Sequence, residues 1–264
     1  MLRNRKTLPK IYITIILLLI YIPIISLVIF SFNGSTGRTA SLVHWNFFSF
    51  QWYEKLFTDP TIKSAVWVTL EIAFLSTLIS TIIGTMAAIS LSKSKKVFRN
   101  VTLSANNIPI VNPEIITALS LFVLFGSIGI TSGFWKMLLA HISFSVPYVL
   151  ITVYPKVRSL DDNLIDAAYD LGATPIKTMF KVVLPQLKGS MIAGAAIAFA
   201  MSFDDFIISY FVGGESYQNI SAYIYSLRGT INPSVNALST IIIFVIGIKV
   251  TIDYIRSKRR IEKE

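Results

Sequence analysis

Long apolar runs, separated by short polar segments, cover most of this 264-residue chain. A membrane-spanning helix needs roughly 20 mainly apolar residues, and six segments meet that requirement. They are residues 11–32, 64–91, 103–127, 134–155, 189–212 and 236–255. The pattern therefore predicts an all-α polytopic membrane protein, with six transmembrane helices in a single domain over residues 1–264.

Composition agrees with this pattern and limits what else the chain can contain. Hydrophobic residues make up 53% of it, which is too apolar for a soluble domain of this length. Because the six segments use most of the chain, any ATPase that works with it must be another polypeptide. The first apolar run, from Ile11 to Phe30, exceeds a signal-peptide core and is expected to stay as a spanning helix. With no cysteine, disulfides and thiol chemistry are excluded.

The formal net charge of +10 follows the predicted topology. Lys and Arg are concentrated in residues 3–10, 93–99, 156–188 and 256–263, and are sparse in the loops 33–63, 128–133 and 213–235. By the positive-inside rule, both termini and the basic loops lie in the cytoplasm. The basicity is thus explained by membrane topology and gives no reason to expect a nucleic-acid partner.

The basic loop 156–188 predicts two short helices that meet at a tight corner. Asp161 or Asp162 can cap the first helix, and Gly172 can supply the left-handed residue that ends it. Thr174 can cap the second helix, with a proline at its first position. That second helix carries several apolar residues and is expected to close at Pro185.

Small and charged residues in this loop follow a regular spacing. An Asp-Ala-Ala triplet is followed by a glycine six residues after the Asp, and then by Val-x-Leu-Pro. The residues are Asp166, Ala167, Ala168, Gly172, Val182, Leu184 and Pro185. The spacing resembles the EAA loop of ABC-importer permeases, with Asp in place of Glu and Val in place of Ile. The resemblance implies a coupling helix that docks on a partner ATPase; the alternative is an ordinary amphipathic hairpin on the membrane surface.

Carboxylates inside apolar spans are the second class of signal. A charged side chain near a helix centre costs roughly 2.5 to 3.5 kcal/mol on insertion scales, so such residues tend to face a cavity, a partner or a pathway. Glu114 follows two prolines that should break or kink the third span. Asp204 and Asp205 lie in the outer half of the fifth span, and Glu71 lies near the outer end of the second. The alternative for each acid is a structural hydrogen bond to a neighbouring helix.

The two adjacent aspartates should point about 100° apart on a helix, so both cannot face one cavity squarely. One is expected to bind solute while the other pairs with a polar group or with nearby backbone. Aromatic residues such as Phe203 and Tyr148 accompany these acids, and carboxylates interleaved with aromatic rings suit an organic cation. We therefore predict a substrate pathway that includes Glu114, Asp204, Asp205, Phe203 and Tyr148.

Two of the external segments are sizeable. Residues 33–63 carry many aromatic side chains, which fit either a lid or partner surface or an anchor at the membrane–water interface. Residues 213–235 form the second segment. Either segment could meet a solute receptor, and the sequence does not choose between them.

Several segments together resemble the spermidine/putrescine ABC-transporter permeases of the PotC type. They are Asn112-Pro113-Glu114-Ile115, Gly133-Phe134-Trp135, His141-Ile142-Ser143-Phe144, Asp166 to Gly172, Ser202-Phe203-Asp204-Asp205 and Ser234-Val235-Asn236-Ala237-Leu238. The resemblance implies the type I importer fold in a bacterial plasma membrane and polyamine import by alternating access. It also implies a second permease of the PotB type, an ATPase dimer of the PotA type and a solute-binding protein of the PotD type.

Other functions remain as alternatives. The chain has no phosphate-binding loop, so it is expected to hold no cofactor, with ATP and Mg bound by the partner ATPase. An importer for another small organic solute would share the scaffold. An intramembrane aspartate hydrolase would need convergent carboxylates, and an ATP-independent carrier or channel would not need the docking loop. His44 and His141 have no ligand cluster around them, so no metal site is expected, and His141 is interpreted as an interhelical hydrogen-bonding residue.

Overall fold

The computed structural model describes residues 7–36, 44–214, 217–227 and 233–261, and these are helical apart from connecting turns and one isolated backbone bridge between Asn33 and Phe48. In chain order the helices are α1 (Thr7–Phe30), α2 (Gln51–Thr58), α3 (Pro60–Lys93), α4 (Lys96–Val111), α5 (Glu114–Ser127), α6 (Gly133–Arg158), α7 (Asp162–Asp170), α8 (Pro175–Thr178), α9 (Leu184–Asp204), α10 (Ile207–Gly213), α11 (Ile220–Ser226) and α12 (Pro233–Ile261). Contacts divide the chain into two compact units, one formed by residues 1–63 and 224–264 and the other by residues 64–223.

The first unit contains α1, α2 and α12, and α12 packs against both of the others. The turn after α1 is organised by Asn33, which is fully buried. Its side chain donates to the carbonyl of His44 (2.8 Å) and accepts from the amide of Asn46 (2.7 Å), and its own carbonyl accepts from the indole of Trp52 (2.7 Å). The side chain and the backbone carbonyl of this one residue therefore fix the start of the aromatic segment that was predicted to be external.

The second unit is built around α6, which packs against α4, α5, α9 and α10. The middle of α6 is fully buried at Val149 and Val153, which form a core with Leu187 and Ala198 of α9. Small residues permit this close approach: Gly84 of α3 and Gly194 of α9 both lie against Val149. Asn106 of α4 donates to the carbonyl of Pro147 (3.2 Å), which ties α4 to the same helix.

Five helices in the described residues are long and apolar enough to cross a membrane singly. They correspond to the first, second, fourth, fifth and sixth predicted segments, and all but the fifth agree with the prediction within about four residues at each end. The third predicted segment is instead the pair α4 and α5, bent by 103°, and a sixth span results only if this pair counts as one. The proline-rich sequence before Glu114 thus breaks the helix outright, as its missing N–H groups favour.

The fifth predicted segment, 189–212, differs from the structure at both ends. The helix does not close at Pro185 but runs continuously from Pro175 to Asp204, with one π-helical turn at Met179–Val183. A proline ring clashes with the carbonyl four residues before it, and the wider turn just ahead of Pro185 relieves that clash. At the other end, the span is interrupted at Asp205 and continues as the separate helix α10.

The close contact between α3 and α6 gives a first prediction. A Cβ added at Gly84 would lie 2.7 Å from the Val149 side chain, whereas one added at Gly189 would meet nothing within 4 Å. We expect Gly84→Ala to destabilise the protein by about 1 to 3 kcal/mol through overpacking. The measurement is the temperature at which heating removes the monodisperse peak from size-exclusion chromatography in detergent. Gly189→Ala is the control and should leave that profile unchanged or slightly improved; equal profiles for both variants would contradict the packing argument.

Candidate functional site

The first element of the candidate site is the break between α4 and α5. Asn112 ends α4 in an extended conformation (φ −69°, ψ 140°), and Glu114 is the first residue of α5. Glu114 and Tyr148 line the same cavity, of about 180 Å³. The other lining residues are Pro109, Ile110, Asn112, Thr117, Phe144, Met201 and Ile208. Two of the five predicted pathway residues therefore share one cavity, and none of its described lining residues is basic.

The second element is the break between α9 and α10, which separates the fates of the two aspartates. Asp204, the last residue of α9, is exposed and makes no hydrogen bond within the described part of the chain. Asp205 adopts an extended conformation (φ −60°, ψ 128°) and is buried. The predicted divergence of the two side chains is confirmed, although its cause is the break rather than the 100° step of an unbroken helix.

The two breaks bring three acids together. The Glu114 carboxyl lies near that of Asp205 and, with a weaker interaction, near that of Asp204. Phe203 is half-buried and stacks on Phe199, with ring centroids 5.8 Å apart. The site thus combines concentrated negative charge with aromatic surface, which is the chemistry that binds an organic cation.

Asp205 is held by the first turn of α10. Its carboxylate accepts from the amides of Ile208 (3.2 Å) and Ser209 (2.7 Å) and from the Ser209 hydroxyl (2.6 Å). The imidazole Nε2 of His141 lies 3.4 Å from the same carboxylate. Since burying an unpaired polar group costs about 1 to 3 kcal/mol, these contacts explain how a carboxylate is tolerated at this position.

His141 links three helices. Its Nδ1 lies 2.6 Å from the Ser202 hydroxyl of α9, and its Nε2 lies 3.1 Å from the Ser209 hydroxyl of α10. Ser76 of α3 donates to Ser202 (3.0 Å), which extends the connection to another helix. The interpretation of His141 as an interhelical hydrogen-bonding residue is confirmed. Its partner Ser209, and Asn219, which donates to Ser209 (2.8 Å), were not predicted, because single serine and asparagine residues give no distinctive sequence pattern.

Glu71 has a structural role in this arrangement. The Tyr217 hydroxyl donates to its carboxylate (3.1 Å). Burial, followed by the hydrogen bond to Glu71, raises the pKa of the Tyr217 hydroxyl, so this group stays protonated and remains a donor. The Glu71 carboxylate is therefore paired with Tyr217 rather than with Glu114, Asp204 or Asp205.

The predicted docking loop forms the corner between α7 and α8. Asp161 caps α7 by accepting from the Asn163 amide (3.0 Å), and the Thr174 hydroxyl accepts from the Lys177 amide (3.4 Å) with Pro175 at the start of α8. Gly172 has φ +75°, the left-handed conformation that the sequence predicted. The caps and the corner are therefore confirmed.

The α7–α8 corner, residues 161–178, presents one face to the spans and the other to solvent. Ala168 is buried, and Ile165 packs against the core that contains Val157 and Val183. Ala167 and Asp166 are exposed. Leu171 is 89% exposed and Ile176 is 73% exposed. Large apolar side chains displayed on a polar loop are typical of a protein-interaction surface.

The fold and these two sites define the class of the protein. Residues 80–261 match the family described as "Binding-protein-dependent transport system inner membrane component". The chain belongs to this family: it is the non-catalytic, multi-pass membrane permease of an ABC importer, which works with an ATPase and a binding protein.

Several relatives resemble the chain over most of its length. It is 37% identical over 225 residues to the spermidine/putrescine transport system permease protein PotC of Haemophilus influenzae, covering 85% of this chain and 86% of the relative. It is 36% identical over 238 residues to the putrescine transport system permease protein PotI of Escherichia coli K12, covering 87% and 83%.

A solved structure supports the fold. The chain superposes on a bacterial ABC transporter involved in the import of the acidic polysaccharide alginate with a TM-score of 0.71 and 13% identity, covering 97% of this chain and 96% of that one. At this identity the likeness concerns the fold alone, and the predicted all-α permease architecture is confirmed.

Gly172 gives the second prediction. An added Cβ would meet nothing within 4 Å, so a substitution there tests backbone conformation alone. We expect Gly172→Ala to destabilise the corner by about 1 to 2 kcal/mol, because left-handed backbone disfavours Cβ. Hydrogen exchange of residues 161–178 should then become faster. Gly172→Asn is the matched control, since Asn tolerates this conformation better; equal acceleration in both variants, or none in either, would contradict the assignment.

Proposed function

We propose that this permease imports polyamines of the spermidine/putrescine class. The observation that carries the proposal is the cluster of Glu114, Asp204 and Asp205 at two helix breaks, beside the cavity that Tyr148 lines. A polyamine is a chain of ammonium groups and methylenes. Carboxylates pair with the ammonium groups, and aromatic faces attract the charge and cover the methylenes. The names of the relatives support the same solute class.

The partners proposed for this chain follow from the same comparison. They are a second permease of the PotB type, an ATPase dimer of the PotA type and a solute-binding protein of the PotD type. In this assembly ATP and Mg bind to the ATPase, and the permease holds no cofactor. The clustering of Lys and Arg supports a topology with both termini in the cytoplasm.

The α7–α8 corner is proposed as the surface that docks on the ATPase. ATP binding would close the ATPase dimer and move this corner, and hydrolysis would reset it. Asp166, Ala167, Ala168, Gly172, Leu184 and Pro185 are the coupling residues proposed from the sequence. Ala167 and Asp166 suit direct contact because they are exposed, whereas buried Ala168 suits attachment of α7 to the spans.

The third prediction tests the solute. In the reconstituted complex with its binding protein, spermidine or putrescine should stimulate ATP hydrolysis. Glu114→Gln should raise the KM for the stimulating polyamine about 10- to 100-fold, as expected for loss of a charged hydrogen-bond partner. Glu54→Gln, the same change at an exposed glutamate of α2, should leave the KM unaltered. Stimulation by a different solute only would overturn the polyamine assignment.

The fourth prediction tests the coupling surface. Ala167→Trp places a large ring on an exposed position, so the permease should fold while its contact with the ATPase is obstructed. Solute-stimulated ATPase activity and transport should both fall at least about tenfold. Thr61→Trp, at an exposed position at the start of α3, serves as the control and should behave like the wild type. Normal stimulated activity in Ala167→Trp would contradict docking through this face.

A further inference from the structure

The adjacent aspartates of the acid cluster have opposite surroundings. Asp204 is exposed and free of hydrogen bonds within the described residues, whereas Asp205 is 4% exposed and bonded at both carboxylate oxygens. We propose that they have separate tasks: Asp204, with Glu114, meets the cationic solute, and Asp205 with His141 forms a positioning pair that fixes the break between α9 and α10. This inference rests on the proposed function and assigns roles within the same site.

Most of the accepting capacity of Asp205 is already used. Three donors converge on its Oδ2, namely the Ser209 amide, the Ser209 hydroxyl and His141 Nε2, and the Ile208 amide donates to its Oδ1. An ammonium group would therefore meet a carboxylate that is 4% exposed and already bonded at both oxygens. Asp204 has no such competitors.

The donors and acceptors of the network define one consistent direction. Ser209 donates its hydroxyl proton to Asp205 and accepts from Asn219 (2.8 Å), so His141 Nε2 must be the donor toward Ser209 and Asp205. Ser202 accepts from Ser76, and its own hydroxyl proton is available to His141 Nδ1 when the imidazole proton is on Nε2. All of these groups are satisfied with a neutral imidazole that carries its proton on Nε2. The chain of hydrogen bonds runs from α3 to the break and ends at Asp205.

Backbone at the break is held by the same residues. The side-chain NH2 of Asn219 donates to the backbone carbonyl of Asp205 (2.6 Å), a group that the interrupted helix would otherwise leave unpaired. The carbonyl of the Asn219 side chain accepts from the Ala222 amide (2.9 Å), and the adjacent Ile220 amide donates to Thr69 of α3 (2.8 Å). The break is therefore anchored on both its side-chain and its main-chain atoms.

The positioning pair is directly connected to the solute cavity. Ile208, whose amide Asp205 binds, lines that cavity together with Glu114. Phe144 lines it as well, and its ring centroid lies 5.1 Å from that of His141. A shift of the break would move the cavity wall and the Asp204 carboxylate together, so the network can set solute affinity without touching solute.

The experiment compares neutral and truncated variants of each aspartate in the reconstituted complex, with spermidine- or putrescine-stimulated ATP hydrolysis as the readout. A contact residue acts through its charge, so Asp204→Asn and Asp204→Ala should both raise the KM about tenfold or more. A positioning residue acts through the number and geometry of the hydrogen bonds that it makes. Asp205→Ala should raise the KM about tenfold. Asp205→Asn should keep it within about threefold of the wild type, because the side-chain oxygen of Asn can still accept from Ser209 and His141 and only the 3.2 Å bond from the Ile208 amide is lost.

The KM is measured only on complexes that elute from size-exclusion chromatography at the position of the assembled complex. Misfolding of a variant is then not mistaken for a loss of affinity. Equal KM values for Asp205→Asn and Asp205→Ala would overturn the proposal, since they would make the charge of Asp205 the decisive property. Wild-type KM in both Asp205 variants would also overturn it, because the network would then be structural only.

A double-mutant cycle and hydrogen exchange complete the test. The KM increases of Asp205→Ala and His141→Ala should be less than multiplicative when combined, as expected for one network, and multiplicative effects would overturn the pairing. Exchange at the Ser209 amide should accelerate in Asp205→Ala and not in Asp205→Asn, which keeps an acceptor for it; the opposite result would overturn the positioning role. A wild-type complex that ignores polyamines would overturn the proposed function instead, and the exchange measurement would still decide whether Asp205 holds the break.

Discussion

Interrupted helices in an apolar environment impose the constraint on which this structure depends. Each break releases backbone N–H and C=O groups that lipid cannot satisfy, so partners must come from within the protein. At the end of α9 this requirement is met by the carboxylate of Asp205 on the α10 amides and by the side chain of Asn219 on the Asp205 carbonyl. A buried charge and an open backbone thus stabilise one another, and either alone would be costly.

The same constraint explains why the acids cluster. Glu114 begins α5 just after the break made by Asn112 and Pro113, and Asp204 ends α9 just before the other break. Helix ends are the points in a span where polar side chains and free backbone groups occur together, so two breaks at a common place concentrate charge there. The cavity next to Glu114 is small, at about 180 Å³, and it lies where the helical packing is interrupted rather than inside a regular bundle.

Much of this could be predicted from the sequence because it depends on local rules. Apolar runs located the spans, capping and left-handed residues located the corner at Gly172, and the cost of charge in lipid selected Glu114, Asp204 and Asp205. The 103° bend, the π-helical turn and the identity of the buried aspartate of the pair could not be predicted, since each depends on tertiary contacts. Pro185 shows the difference: its local chemistry favours a helix end, yet packing of Val183 and Leu187 into the α6 core keeps the helix continuous.

That continuity has a mechanical consequence. From Pro175 to Asp204 the chain forms one span of 30 residues, which corresponds to about 45 Å at 1.5 Å per residue. One end belongs to the proposed docking corner and the other carries an acid of the proposed solute site, so a displacement at the corner can reach the acids along a single stiff element. The break at Asp205 is where that stiffness ends. On the far side of the break, His141 and Asn219 connect α10 to α6 and to the loop before α11. Motion of α9 therefore changes the backbone at Asp204, near Glu114. A change in the spacing of these two carboxylates alters the affinity for a cation.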